Sequence, residues 1–264
     1  MLECVVNVSE GRAVPALEAI ASAAGAELLD QHRDAHHNRA VLTLAGPDLD
    51  GAVRRVARAT IEQLDLREHT GVHPRIGVLD VVPFVPLGGS SIADAVTARD
   101  AFAAWAGETL ELPCFLYGPE RSLPDVRREA FRSLSPAHGP RQPHPTAGAC
   151  AVGARMPLVA YNLWLRGSDI EAARRLAAGL RSQEVRALGL AVGDHVQVSM
   201  NLLSPIEVGP AAVYDAIAAA GVAIDRAELV GLVPRTVLDA TPRGRWAQLD
   251  LGEERTIEAR LAPT

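Results

Sequence analysis

The chain of 264 residues contains no lysine, so all 26 of its basic side chains are arginine. That absence removes Schiff-base chemistry, pyridoxal phosphate attachment and the phosphate loop that ends in Gly-Lys-Ser/Thr, each of which needs a lysine amine. Cysteine is scarce too: Cys4, Cys114 and Cys150 are widely spaced, never form a Cys-x-x-Cys pair, and suit a chain with reduced thiols. Apolar runs stop short of the roughly 20 residues that a membrane helix needs. No charged-then-apolar leader precedes the first strand-like segment, so the expected location is the cytoplasm. A formal charge of −6 argues against a general binder of nucleic acid or of an anionic membrane. The partner that remains is a small molecule. With 48% apolar residues the chain can bury a substantial core, as one large domain or two small ones.

Periodicity then organises the chain. Residues 3–8 are a short β-branched strand candidate, and a helix beginning near Pro15 sets Leu17, Ile20 and Ala24 on one face. Strand-like segments follow at 27–30 and 39–44, then a helix over 48–66 with Val53, Val56, Ile61 and Leu64 as its stripe, then an apolar strand over 78–85. Residues 91–107 read as a helix, 113–117 as a strand and 124–132 as a short helix. From Ser135 to Gly153 the composition turns to Pro, His, Gly and Ala without periodicity, which reads as a linker between domains 1–150 and 151–264. In the second half, a strand over 158–163 leads to the capping box Ser168-x-x-Glu171 and a helix through Leu180. Strands over 185–192 and 195–202 flank the tight-turn pair Gly193-Asp194, Gly209-Pro210 opens a helix to Ala220, and a last strand falls within 222–233. Both halves thus have the order β-α-β-β-α-β. The expected class is α+β: two split βαβ units with mixed sheets, whose second faces would meet across a ligand cleft.

Seven of the eight histidines fall in three non-helical segments, at 32, 36 and 37, at 69 and 73, and at 138 and 144; His195, starting a hairpin strand, reads as structural. His69-x-x-x-His73 has the spacing of a helical metal clamp, but Pro74 pushes His73 out of the helical region and Gly71 interrupts the segment. No acidic or thiolate ligand sits at a diagnostic spacing, so no metal is expected. His73 can instead be a general base, with Gly71 and Gly77 admitting a ligand closely and Arg75 gripping a carboxylate. Equally, His73 can bind a carbonyl and Arg75 can pair with Asp80; spacing alone does not separate the two. The segment 30–39 is either a solvated loop or a recognition loop in which Asp34 holds an amine, Asn38 an amide edge and Arg39 a carboxylate. Gly139, Pro140, Arg141, Gln142, Pro143, His144, Pro145, Thr146, Ala147 and Gly148 form either a linker or the rigid wall of a pocket.

A family resemblance bears on these alternatives. Cys4-Val5-Val6-Asn7-Val8-Ser9-Glu10-Gly11-Arg12, Asn38-Arg39 before a strand, and above all Gly71-Val72-His73-Pro74-Arg75-Ile76-Gly77 running to Asp80 and Val82-Pro83-Phe84-Val85-Pro86 resemble the formiminotransferase domain of the glutamate formimidoyltransferase family. Tyr117-Gly118, Tyr161-Asn162-Leu163 and Val230-Gly231-Leu232-Val233-Pro234 are similar as well, so the likeness runs through nearly the whole chain. It implies two ferredoxin-like subdomains facing across a folate cleft in a homodimer, as a stand-alone form with no cyclodeaminase domain. It also implies transfer of a formimino group from formiminoglutamate to tetrahydrofolate, without a metal, in histidine breakdown. The catalytic histidine would be His73, the folate segment Gly139–Gly148, and the substrate positions Asn7, His32, Asp34, Asn38, Arg39 and Arg75. A glutamate formyltransferase, or a diverged folate binder without turnover, is the alternative. Two departures stand out: His32 occupies a position where relatives carry aspartate, and only Arg181-Ser182-Gln183-Glu184 follows Leu180 where they carry a lysine-rich insert. The second departure predicts little preference for polyglutamylated folates.

Overall fold

Along Leu2–Val8, Cys4, Val6 and Val8 alternate with Glu3, Val5 and Asn7, and a period of two makes this segment strand β1. In the computed structural model, which describes residues 1–71 and 74–262, Cys4, Val6 and Val8 enter the main core. Helix α1 (Val14–Ser22), β2 (Leu28–Asp34), β3 (Arg39–Ala45), α2 (Leu49–Gln63) and β4 (Leu79–Pro86) follow. These strands lie in the order β2-β3-β1-β4, each antiparallel to its neighbour. Helix α3 (Ile92–Thr109), β5 (Cys114–Tyr117), α4 (Leu123–Glu129) and β6 (Cys150–Ala154) complete the unit. Strand β6 runs parallel to both β4 and β5, extending the sheet to six mixed strands. A neighbour on each side and cover on each face explain why every residue of β4 is buried and why it reads as a continuous apolar run.

Helices α1, α2 and α3 supply Leu17, Ile20, Val53, Val56, Phe102 and Ala106 to the core, with the Phe84 and Phe102 rings 6.0 Å apart between centroids. A second cluster, Val81, Phe115, Tyr117, Val126, Ala149 and Ala151, lies under α4. Residues 135–153 are not a linker. Their last part is β6, Ala147 to Val152 are buried, and the compact units divide between Met156 and Pro157. The small residues Ala147, Gly148 and Ala149 carry no period because they are chosen for close packing, so pattern alone could not place them.

The second unit contains β7 (Val159–Leu165), α5 (Ile170–Leu180), β8 (Val185–Val192), β9 (His195–Leu202), α6 (Pro210–Ala219) and β10 (Ile224–Val230). Its four strands are antiparallel in the order β10-β7-β9-β8, the arrangement that β4-β1-β3-β2 makes in the first unit. The hairpin turns at Gly193, whose φ of 59° suits glycine. Helix α5 is capped by Asp169, whose carboxylate accepts from the Ala172 N–H at 2.7 Å, so the cap lies one residue beyond the expected Ser168. An acceptor that is also an anion suits the positive end of a helix better than a hydroxyl does. After β10 come α7 (Arg235–Asp239) and α8 (Ile257–Leu261), too short to leave a periodic signal, and between them the Leu249 carbonyl accepts from the buried Tyr161 hydroxyl at 2.7 Å. Among the described residues no helix is long and apolar enough to cross a membrane.

Gly189 shows how closely α5 rests on β8: a Cβ there would lie 2.4 Å from the Arg174 nitrogen and 2.5 Å from the Ala173 carbonyl carbon. Gly189→Ala is expected to destabilise the protein by about 1–3 kcal/mol, the usual cost of overpacking. Urea unfolding measures this, and an unchanged midpoint would contradict the packing.

Candidate functional site

Three segments meet at one end of the first sheet: the turn leaving β1, the β2–β3 turn and the approach to β4. Ser9 fastens the first to the third, its N–H donating to the Val78 carbonyl at 2.8 Å and its hydroxyl to the Gly77 carbonyl at 2.7 Å. Gly11 lies against the second, where a Cβ would come 2.1 Å from the Asp34 carbonyl oxygen. The Gly11 N–H is shared between Asn38 Oδ1 and Glu10 Oε1, each at 2.8 Å, and Asn38 Nδ2 donates to the Thr70 carbonyl at 2.9 Å. Asn38 itself has a φ of 50°, a left-handed conformation that asparagine tolerates better than most residues. Its carbonyl accepts from His69 Nε2 at 2.8 Å, which fixes the ring proton on Nε2. His69 Nδ1 is then a buried acceptor without a partner among the described residues. Arg12 adds a further tie, with Nε donating to the Ala35 carbonyl at 2.7 Å and a terminal nitrogen to Thr70 Oγ1 at 3.2 Å.

Each expected site residue can be followed into this arrangement. His73 lies outside the described residues, as does Val72. Arg75 donates to the carbonyls of Gly71 at 3.0 Å and His69 at 3.3 Å, so it braces the loop rather than meeting Asp80. Asp34 is committed to its own turn: it accepts from the N–H groups of His36 at 2.8 Å and His37 at 2.9 Å and from the His37 ring at 2.6 Å. Partial burial raises its pKa, but these donors outweigh that and hold the carboxyl well below the usual range. His32 is half-buried on β2 opposite Val41. Arg39 donates to Asn7 Oδ1, and Asn7 Nδ2 donates to the Val5 carbonyl at 2.9 Å. Burial pushes the Arg39 pKa down to about 10, with Asp80 and Asp34 pulling it up and Arg127 pulling it down, so it remains a cation at neutral pH. Its Nε is buried without a partner among the described residues.

The segment Gly139–Gly148 reaches the same place. The Thr146 carbonyl accepts from Leu66 N–H at 2.7 Å and the Ala147 carbonyl from Val78 N–H at 3.0 Å, while Ala149 N–H donates to the Ile76 carbonyl at 2.9 Å. His144 and Gly148 close a turn through mutual backbone bonds of 2.8 and 3.0 Å, leaving Pro140 to Pro143 exposed. Beneath the loop lies a pair that the sequence did not single out. Asp80, 2% exposed, accepts from Ile76 N–H at 2.8 Å and from an Arg127 terminal nitrogen at 2.5 Å. Burial raises the Asp80 pKa despite Arg127, the Ile76 N–H and Arg39. Arg127 sits on α4, 47 residues away, and only the strand order brings it in. Among the described residues no group of three or more His, Cys, Asp or Glu side chains comes together as a metal site.

The model of the formiminotransferase domain, N-terminal subdomain, matches residues 1–155. The chain belongs to the formiminotransferase family. It is 34% identical over 270 residues to a glutamate formimidoyltransferase of Streptococcus pyogenes serotype M1, covering 90% of each chain. A glutamate formimidoyltransferase of Thermoplasma acidophilum is 32% identical over 273 residues, covering 90% of this chain and 89% of that one. The formimidoyltransferase-cyclodeaminase of Sus scrofa is 34% identical over 280 residues, covering 91% of this chain and 51% of the relative. A member of the formiminotransferase family, the protein is on this ground an enzyme of the transferase class.

The Asp34 turn gives a pH test. Its folded pKa lies below the unfolded value of about 3.9, so its stabilisation is fully present above that value and is lost as pH falls. Asp34→Asn is expected to be about 1–2 kcal/mol less stable than wild type at pH 7, with the gap closing toward pH 2.5. Denaturation at both pH values measures it, and a gap independent of pH would refute the role.

Proposed function

We propose that this formiminotransferase family member moves a formimino group between N-formimino-L-glutamate and N5 of tetrahydrofolate, with His73 as general base. The observation that supports the proposal is the convergence, in a chain of this family, of the described residues that flank His73 in sequence, the Asp34–Arg39 turn and the His144–Gly148 turn at one end of one sheet. Tetrahydrofolate is a substrate here, the acceptor of the one-carbon group. N5 attacks the formimino carbon and forms a C–N bond, and the proton that N5 carries passes to the base. The bond from that carbon to the glutamate nitrogen then breaks, and the departing amine takes the proton. A base poised near neutral pH contributes roughly 10²- to 10⁴-fold to such a step.

The other residues divide by what they hold. Arg39, with Asn7 beside it, offers a partly buried cation to a carboxylate. Asn38, Asp34 and Arg75 act through the loops they fasten, and His32, half-buried on β2, is assigned to the substrate. Gly139 to Gly148 takes the folate, its exposed prolines giving a stiff edge. The strand arrangement common to the units Met1–Met156 and Pro157–Thr264 fits a pair of ferredoxin-like split βαβ subdomains, with the boundary a few residues beyond the expected 150. The family resemblance, not the fold, is the ground for assigning the enzyme to a cytoplasmic homodimer in histidine catabolism.

His73→Gln is expected to lower formimino transfer by at least 10²-fold while tetrahydrofolate still raises the melting temperature, since a ligand that binds only the native state stabilises it. Unaltered turnover in the variant would refute the base role. A wild type that is stabilised by folate yet never turns over would make the protein a folate binder instead.

A further inference from the structure

The first unit holds two partly buried guanidinium groups near the buried carboxylate of Asp80. Arg127 pairs with Asp80 at 2.5 Å, while Arg39 makes no ion pair among the described residues and has only the Asn7 amide as its hydrogen-bond partner. On both arginines Nε is buried and has no partner among the described residues. The two cations are close enough for Arg127 to depress the ionisation of Arg39, and both act on Asp80. A buried N–H without an acceptor and a buried cation without an anion are each unfavourable, so such a cluster is stable in water only at a cost. Asp80 is the only carboxylate that either guanidinium pairs with among the described residues, since Asp34, which also acts on Arg39, is held by the donors of its own turn. Arg127 is about one-fifth exposed, which leaves an approach from solvent.

We propose that Arg39 and Arg127 form a carboxylate-recognition site, in which the ligand's carboxylate supplies the second anion and takes the unpaired guanidinium N–H groups. The planar fork of arginine matches a carboxylate in a way that an ammonium does not, so the two are not interchangeable here. Asp80 has a part in setting the affinity: by pairing with Arg127 it weakens the hold on an incoming anion, and its other oxygen keeps Ile76 in place. Naming the ligand as a glutamate-type carboxylate rests on the transferase proposal; the anion site itself does not. Two sources offer the same chemistry, the amino-acid substrate and the glutamate moiety of the folate.

Calorimetric titration of the full-length protein with L-glutamate, tetrahydrofolate and tetrahydropteroate, which lacks the glutamate, tests the site without any need for turnover. Arg39→Lys and Arg127→Lys are each expected to weaken one carboxylate ligand by about tenfold or more. Loss confined to L-glutamate identifies the amino-acid substrate; loss for tetrahydrofolate but not tetrahydropteroate identifies the folate tail. Binding of both carboxylate ligands at wild-type strength in both variants overturns the inference, as does a wild type that binds neither. Asp80→Asn provides a check that does not depend on the lysine variants folding: it removes the internal anion and is expected to tighten the affected ligand several-fold, and unchanged or weaker binding overturns the proposal. Transfer activity that is absent while glutamate binding follows this pattern would refute the transferase reading and leave the carboxylate site standing.

Discussion

The site depends on one residue held in an uncommon conformation. Asn38 adopts left-handed backbone angles, and from that position its side chain bridges Gly11 and Thr70 while its carbonyl receives His69. Three segments, with Asn38 lying 27 residues from Gly11 and 32 from Thr70, are thereby tied to one side chain and its carbonyl, with Arg12 and Arg75 as outer braces. An aspartate could accept from Gly11 but not donate to Thr70, and a leucine could do neither. Amide chemistry, with donor and acceptor on one short side chain, is what the junction requires.

Charge is managed differently above and beneath this junction. In the turn above, Asp34 is surrounded by donors from its own neighbours and is stabilised as an anion. Beneath the loop, Asp80 pairs with Arg127 and lies in the field of Arg39, and on both arginines Nε has no partner among the described residues. The first arrangement commits a carboxylate to shape, and the second leaves the guanidinium N–H groups that the proposed carboxylate ligand would take. A site that must both position a loop and attract an acid has reason to separate those tasks.

Much of this was legible in the sequence, for definable reasons. The β-α-β-β-α-β order of the second unit could be read because its turns use residues with strong local preferences, Gly193-Asp194 between strands and Pro210 at a helix start. The polar segments around Asn38, His69 and His144 were visible as interruptions of periodic structure, and they do converge. What was not legible is long-range or aperiodic. Arg127 is one arginine among 26, and nothing local ties it to Asp80. Strand β6 is built from Cys150, Ala151, Val152, Gly153 and Ala154, small residues chosen to fit between β4 and β5, where Gly153 leaves room for the Tyr117 ring. Asp34 was an available acceptor in the sequence and is an occupied one in the fold, because its partners are the backbone of its own turn.

If Asn38 is the joint on which the site is assembled, its removal loosens the site while leaving the helices on the sheet intact. Hydrogen exchange of the Gly11 amide in Asn38→Ala, read against buried amides of β4 in the same sample, is the most direct measurement. Loss of one of that amide's two acceptors, with Glu10 Oε1 remaining, is worth about 1 kcal/mol and predicts roughly fivefold faster exchange at Gly11 with β4 unchanged. Wild-type protection at Gly11 in that variant would contradict the account.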